Sequence, residues 1–264
     1  MSQNFTDLQD IVLISKLKSL FKYMSFDKGF HALEHEMVSF STPLEFNDPY
    51  DCSSSLVDVS DELVLKMLSI SENLKFLPSG FDKSADGLSF IKHMKDVPMK
   101  NAIDKVLKRV KIACFSEKKH NLLMWSHYSR NHTGICIEFD VAKLIAHLKR
   151  TENTPFFLKV RYSSKRDSFS WSEIGDADNL VKWLKTKSID WKYEKEVRLL
   201  KITTEDYSLP IRQDLIKHIY LGSRIDDKNE KRILEICKNK FSNVMISKTS
   251  LSKKEYILED NRIL

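Results

Sequence analysis

The sequence lacks the motifs by which several common enzyme classes are recognised. It contains no Gly-x-Gly-x-x-Gly, no Gly-x-x-x-x-Gly-Lys-Ser/Thr, no His-Glu-x-x-His and no Gly-x-Ser-x-Gly. Rossmann proteins, P-loop NTPases, zincins and α/β-hydrolases therefore lose their usual sequence support. Glycine and proline are also scarce, at six residues each, which argues against a disordered or repeat-built chain.

Cysteine is too sparse and too dispersed to indicate a zinc site. The four cysteines form no Cys-x-x-Cys pair; they are Cys52, Cys114, Cys136 and Cys237. The spacing of His120, His127 and His132 does not place all three on one helix face. We therefore expect no metal.

Targeting signals and long apolar runs are missing too. The first residues lack the basic start and apolar block of a signal peptide, and no run approaches membrane-spanning length. We predict a cytoplasmic protein with no membrane partner. The formal charge of +6 permits a polyanionic partner without requiring one.

What is present is a mixture of strand and helix patterns without regular βαβ repetition. The chain opens with strand, helix, strand, and it ends with another alternation of both types. This pattern predicts an α+β fold with a mixed or antiparallel sheet core. We predict a single domain over residues 1–264, with residues 56–111 as a helical insertion within it.

The stretch Trp191–Leu200 combines acids, bases and aromatic residues before an apolar run. If it continues as a strand, Glu194, Glu196 and Arg198 share one face. One interpretation is a solvated edge strand with paired charges. The other is the acidic wall of a cleft, in which Glu196 is the first candidate for a catalytic carboxylate and Glu194 the second.

Two further segments supply polar and aromatic groups. The loop after the second strand is stiffened by two prolines and carries Asn47 and Asp48. A later helix brings Trp125, His127 and Tyr128 close together. A carboxylate, aromatic surfaces and loop amides suit transfer from a nicotinamide glycoside, because a glutamate can stabilise the oxocarbenium-like transition state.

Six segments resemble the signature blocks of a bacterial family known only as a domain of unknown function, DUF family 2971. The resemblance covers most of the chain outside residues 56–111, and Tyr50 stands where that family is expected to have phenylalanine. The segments are Phe21–Tyr23, Phe40–Asp51, Cys114–Ser116, Trp125–Tyr128, Gly134–Asp140 and Trp191–Arg198.

The order of elements is also similar to that of the DarT-like ADP-ribosyltransferases. That resemblance implies the ADP-ribosyltransferase fold, with NAD as substrate and Glu196 at the catalytic position, or Glu194 by register. The first-strand residue departs from the usual histidine or arginine unless Lys22 substitutes. The resemblance implies NAD-binding positions at Lys22, Tyr23, Ser41, Asn47, Asp48, Phe115, Ser116, Trp125, His127 and Tyr128.

The leading functional expectation is thus an NAD-dependent ADP-ribosyltransferase-like enzyme. The resemblance implies a toxin or phage-defence effector that modifies nucleic acid or protein, with a neutralising antitoxin or defence-system partner. Two alternatives stay open. One is a nuclease or glycosidase that uses Glu194, Glu196 and Asp48, and the other is a non-catalytic binding or sensor module. The enzyme interpretation requires Tyr23, Asn47, Tyr128 and Glu196 to converge on one cleft.

Overall fold

The structure, a computed structural model, describes residues 8–54, 57–58, 100–150, 154–166, 169–170 and 176–264. The strands in chain order are β1 Ser19–Met24, β2 Met37–Ser39, β3 Val57–Asp58, β4 Val110–Ser116, β5 Ile135–Asp140, β6 Phe156–Lys159, β7 Arg161–Ser163, β8 Phe169–Ser170, β9 Thr186–Ser188, β10 Glu196–Ile202, β11 Ser208–Pro210, β12 Ile216–Leu221, β13 Met245–Leu251 and β14 Leu258–Arg262. The α-helices are α1 Leu8–Ser15, α2 Phe26–Glu34, α3 Lys100–Lys108, α4 Leu122–Tyr128, α5 Val141–Leu148, α6 Ala177–Leu184 and α7 Asp227–Lys240, and three 3₁₀ helices span Pro43–Glu45, Ile189–Glu194 and Gln213–Leu215.

Eight strands form one sheet in the order β14-β13-β12-β5-β1-β4-β10-β6. The parallel pair in this sheet is β12 with β13, which α7 connects, and the other neighbours are antiparallel. The predicted α+β class with a mixed, mostly antiparallel core is confirmed.

The two faces of this sheet have different contents because side chains alternate along each strand. On one face, Phe115, Val197 and Leu199 join a large apolar cluster that includes residues of α2, α5 and α7. On the other face of β10 lie Glu196 and Arg198, followed by Leu200 in a separate apolar cluster. The polar residues therefore face away from the main core.

The sheet opens between β1 and β4. β1 pairs with β5 at all six of its residues, but its one registered pair with β4 is Phe21 with Ser116. Farther along β4, Ser41 forms a backbone bridge with Ile112. In the gap, the Lys22 ammonium donates to the Cys114 carbonyl at 3.2 Å. This gap places a cleft in the interior of the sheet.

Several predicted elements are confirmed and others differ. The opening strand, helix and strand are β1, α2 and β2, although β2 pairs with β11 in a separate two-stranded sheet. Of the predicted insertion over 56–111, residues 56 and 59–99 lie outside the described residues, whereas 100–108 form α3. The stretch 191–200 is not a continuous strand, since residues 189–194 form a 3₁₀ helix and β10 begins at Glu196.

Candidate functional site

The cleft between β1 and β4 has a volume of about 610 Å³. β1 and α2 form one wall, and the loop after β2 contributes further lining residues. The opposite wall carries residues of β4 and α4 together with a cluster of buried charged side chains. A cleft of this size is in the range of small-molecule and cofactor sites, which span roughly 300–1,000 Å³.

The acidic cluster consists of five buried charged residues, which are Asp51, Lys187, Glu194, Glu196 and Arg198. The Lys187 ammonium lies 2.7 Å from Glu194 Oε2, 3.2 Å from Glu196 Oε2 and 3.5 Å from Asp51 Oδ2. Arg198 Nε donates to Glu196 Oε1 at 2.8 Å, and Nη2 donates to Asp51 Oδ2 at 2.5 Å. Each side chain is at most 5% exposed. Two cations thus hold three carboxylates together.

The pKa values of the two glutamates in this cluster are shifted in opposite directions. Burial alone raises the pKa of a carboxyl group, and it keeps the pKa of Glu194 above its usual value despite Lys187. For Glu196 the charges of Arg198 and Lys187 outweigh burial and hold the pKa well below its usual range. Glu196 is therefore ionised at neutral pH, whereas Glu194 takes up a proton more readily.

The cluster has one more carboxylate than it has cations, so it carries one excess negative charge when fully ionised. Lys187 stays protonated because Glu196, Asp51 and Glu194 raise its pKa against the effect of burial. The hydroxyl of Tyr128 donates to Glu194 Oε1 at 2.5 Å. The Glu194 carboxylate therefore lies between the Lys187 ammonium and the Tyr128 hydroxyl. Both Glu194 and Glu196 line the cleft.

The wall opposite the acidic cluster carries basic side chains. Lys22 from β1 and Lys28 and His31 from α2 line the cleft there, along with the carboxylate of Asp27. Burial lowers the pKa of Lys22, and the nearby charge of Lys28 lowers it further. The cleft therefore has an anionic wall and a mainly cationic wall.

Local sequence explains how the two glutamates reach the same wall. Ser188 caps the 3₁₀ helix that ends at Glu194, and its side chain accepts from the Asp190 N–H. Lys195 then takes a left-handed conformation with φ of 46° before β10 begins. Glu194 and Glu196 therefore both contact Lys187 because of this kink, and not because they alternate along one strand.

A second set of contacts fixes α4 against the 3₁₀ helix. The Asn121 side chain accepts from the N–H groups of Leu123 and Met124, so it caps α4. Its amide donates to the Tyr193 carbonyl at 2.9 Å. Tyr128 lies at the end of α4, and Glu194 lies at the end of the 3₁₀ helix. Because Asn121 joins these two helices, it helps to position the donor and the acceptor of the hydrogen bond between Tyr128 and Glu194.

Two aromatic rings pack against His127, a residue of the cleft lining. The His127 ring centroid lies 6.1 Å from that of Trp191 and 6.2 Å from that of Tyr193, in the latter case nearly stacked. The Lys187 ammonium lies 4.9 Å from the Trp191 ring centroid. His127 is exposed and lines the cleft, so a flat ligand ring can approach it.

Nine of the twelve predicted site residues line the cleft. They are Lys22, Tyr23, Ser41, Asn47, Phe115, His127, Tyr128, Glu194 and Glu196. The set that the enzyme interpretation requires to converge, Tyr23, Asn47, Tyr128 and Glu196, is included. The Tyr23 hydroxyl, however, donates to the Lys118 and Lys119 carbonyls, which leaves its ring as the part that faces the cleft.

The structure places the other three predicted residues outside the cleft lining. Asp48 is buried and accepts from the Tyr50 N–H at 2.9 Å, so it shapes its own loop. Ser116 is fully buried and donates to the Glu194 carbonyl at 2.5 Å. Trp125 is fully buried in the apolar cluster that also contains Tyr23. These side chains support the walls.

Sequence reasoning missed Lys187 and the basic residues of α2. Lys187 follows Lys182 and Lys185 in the chain, and a run of this kind indicates a solvated face. Nothing in the sequence distinguishes the buried lysine from its exposed neighbour Lys182. Lys28 and His31 lie one helical turn apart, a spacing that places them on one face of α2 but also fits any surface helix.

Within the described ranges, no group of three His, Cys, Asp or Glu side chains is placed to hold a metal ion. In the same ranges, no helix is both long enough and apolar enough to cross a bilayer.

Residues 124–199 match the model of the family described as "Protein of unknown function (DUF2971)". The resemblance to DUF family 2971 is thereby confirmed for this segment, which contains Tyr128, Lys187, Glu194, Glu196 and Arg198. No curated protein and no solved structure matches the chain. The resemblance to DarT-like ADP-ribosyltransferases is not confirmed by these comparisons.

Proposed function

We propose that this chain, which carries the DUF2971 segment, is an enzyme that transfers ADP-ribose from NAD to an acceptor. The observation that carries the proposal is the division of the cleft into an anionic and a cationic wall. NAD has the matching charges, because its nicotinamide ring is cationic and its diphosphate is anionic. Lys22 and Lys28 suit the diphosphate, and the acidic cluster suits the nicotinamide ribose.

In this reaction the bond between the nicotinamide nitrogen and the ribose carbon breaks, and its electron pair leaves with neutral nicotinamide. The positive charge moves to the ribose, which becomes an oxocarbenium-like centre. Glu196 is held ionised by Arg198 and Lys187, so it is suited to stabilise that charge.

The acceptor nucleophile then forms a new bond to the same carbon and loses a proton. The raised pKa of Glu194 suits it to accept that proton as a general base. Enzymes often assign two different roles to two neighbouring carboxylates whose pKa values are shifted in opposite directions. Here the roles are charge stabilisation and proton acceptance. The exposed ring of His127 near Trp191 and Tyr193 offers a surface for the leaving nicotinamide.

A non-catalytic binding or sensor module is the second candidate function, and a specific observation favours it. Every carboxylate of the acidic cluster already has a cationic partner within 3.5 Å, as expected of a structural ion-pair network. In that case the cleft would bind a ligand without chemical change, and Glu196 would serve only to hold Arg198 in place.

The test is nicotinamide release from NAD, with transfer of label to total cell nucleic acid or protein measured in parallel. We expect Glu194→Gln to lower the rate of both by about 100-fold or more, and Glu196→Gln to lower them too. The matched control is Glu138→Gln, since Glu138 is a partly buried, hydrogen-bonded glutamate outside the cleft lining. Label transfer that survives both cluster substitutions would remove these residues from their roles, and no turnover by the wild-type protein would favour the sensor module.

The nature of the acceptor and the biological role also belong to this proposal. Nucleic acid and protein remain the two acceptor classes, and a cytoplasmic toxin or phage-defence effector with a neutralising partner remains the expected setting. The labelled-transfer experiment separates the two acceptor classes directly, because nuclease and protease treatments remove label from different products.

A further inference from the structure

A turn of unusual backbone conformation joins α4 to β5 beside the cleft. Its three consecutive residues Arg130, Asn131 and His132 have φ angles of 51°, 56° and 66°. Residues other than glycine rarely adopt this left-handed region, and three in succession are rarer still. Such conformations persist only where the surrounding structure enforces them, and they are concentrated at functional sites.

Backbone contacts on both sides enforce this turn. The Asn131 N–H donates to the Ser126 carbonyl at 3.1 Å, and the His132 carbonyl accepts from the Arg224 N–H at 3.0 Å. Gly134, two residues after the turn, passes so close to β1 that a Cβ atom there would lie 2.0 Å from the Met24 carbonyl oxygen. The turn is thereby fixed against the end of β1, which is a wall of the cleft.

The turn places Arg130 next to a residue that lines the cleft. Its side chain is 75% exposed, and Nη1 lies 3.6 Å from Oδ2 of Asp27, a residue that lines the cleft. Asp27 is itself 77% exposed, so this pair is loosely held and contributes little to stability. Among the described residues, Asp27 is the one ion-pair partner of the guanidinium group.

We propose that Arg130 binds the diphosphate of the dinucleotide in the cleft and exchanges its resting partner Asp27 for the ligand. This inference rests on the proposed function for the identity of the ligand. Arg130 would act beside Lys28 on the cationic wall, and a guanidinium can bind two phosphate oxygens at once. The backbone strain is then retained because it aims this side chain at the site.

The test uses ADP as the probe, with its dissociation constant measured by titration calorimetry on the full chain. Arg130→Gly suits the left-handed backbone but removes the guanidinium, and Arg130→Gln removes the charge while keeping a polar side chain. We expect either change to weaken ADP binding about tenfold, and added salt to weaken binding less in these variants than in the wild type. Asp27→Asn should tighten binding, because it frees Arg130.

The matched control is Asn131→Gly, which relieves the same backbone conformation at the next residue without touching the guanidinium. It should change ADP affinity less than about twofold. Equal effects of Arg130→Gly and Asn131→Gly would show that the turn serves only to reverse the chain, and failure of ADP to bind the wild-type protein would also overturn the inference. Arg130-dependent ADP binding without NAD turnover would remove the proposed reaction and leave the diphosphate site standing.

Discussion

Arg198 connects three separate segments of the site. It is fully buried, and its guanidinium binds Glu196, Asp51 and the Leu184 carbonyl. These contacts join the loop before residue 52, the end of α6 and the start of β10. A buried cation of this kind requires its carboxylates, because removing one leaves charge unpaired in a poorly solvated environment.

The two glutamates should therefore differ in their effect on stability. We expect Glu196→Gln to lower the free energy of unfolding by about 3 kcal/mol, because it removes a partner of buried Arg198. Glu194→Gln should cost about 1 kcal/mol, since it removes the excess negative charge and keeps a polar side chain beside Tyr128. Urea unfolding of both variants checks this, and a larger loss for Glu194→Gln would assign the structural role to the other glutamate.

The lowered pKa of Glu196 also predicts a pH dependence. Its pKa in the folded protein lies below the unfolded value of about 4.3, so its contribution is fully present above that pH. The contribution is lost as the pH falls below about 4.3 toward the folded pKa. We expect the stability difference between wild type and Glu196→Gln to be constant near neutral pH and to shrink below about pH 4. Urea titrations between pH 3 and 7 measure it, and a difference that grows with acid would contradict this prediction.

The sequence grouped the two glutamates for an incomplete reason. Strand alternation grouped Glu194 with Glu196, whereas the structure groups them through a 3₁₀ helix and a left-handed Lys195. Lys187 could not be predicted, because burial of a lysine depends on carboxylates that are up to 136 residues away in the chain, as Asp51 is. Spacing within one segment carries no information about such a partner.

Among the elements, α4 and the 3₁₀ helix Ile189–Glu194 form the wall that carries Tyr128 and Glu194. Asn121 joins them by capping α4 and by donating to the Tyr193 carbonyl. The relation between Tyr128 and Glu194 therefore depends on one amide side chain that does not itself line the cleft. Short helices of six or seven residues are marginal without such contacts.

Substitution of Asn121 should separate capping from docking. Asn121→Ala loses both and should lower the free energy of unfolding by about 1–2 kcal/mol. Asn121→Asp keeps the cap but cannot donate to Tyr193, so it should preserve most of the stability while weakening ligand binding in the cleft. Urea unfolding and ADP titration of the two variants test this, and equal losses of stability would mean that the link to Tyr193 dominates.

Element types were predictable where the pattern was local. Asp140 directly precedes the helix after β5, where aspartate is a favoured cap, and its side chain accepts from the Lys143 N–H. The stretch 191–195 was less accessible to such reasoning, because its residues suit both a strand and a 3₁₀ helix. The contact of Tyr193 with Asn121, the cap of α4, which lies 72 residues earlier in the chain, favours the 3₁₀ helix.

Across the whole molecule, the cleft divides the large sheet into two parts. β14, β13, β12, β5 and β1 lie on one side, and β4, β10 and β6 lie on the other. Glu196 and Arg198 of the acidic cluster belong to the second part through β10, and Lys22 belongs to the first through β1. A dinucleotide in the cleft would contact both parts at once.

Ligand binding should therefore stabilise the sheet across the gap. At a concentration of 100 times its dissociation constant, a ligand adds about 2.7 kcal/mol to stability. We expect NAD or ADP to raise the melting temperature and to slow amide hydrogen exchange in both Lys22–Met24 and Ala113–Phe115. Hydrogen exchange read by mass spectrometry resolves these segments, and protection confined to one side of the gap would contradict binding between the two parts.

The fold class was predictable from the sequence, but the gap between β1 and β4 was not. Periodicity indicates that β1 and β4 are strands, yet it cannot show that they share one registered pair and then diverge. The four residues that the enzyme interpretation requires to converge all line the cleft; they are Tyr23, Asn47, Tyr128 and Glu196. Their arrangement depends on long-range strand pairing, which a single sequence leaves open.

The pairing of β1 also has a consequence during synthesis. Within the described part of the chain, β1 pairs only with β4 and β5, which begin at residues 110 and 135. At about 5–20 residues per second, the ribosome needs several seconds to make the intervening chain. The apolar residues Leu20, Phe21 and Met24 leave the exit tunnel long before their partner strands are synthesised. During this interval the nascent protein exposes an unpaired apolar strand to which chaperones can bind.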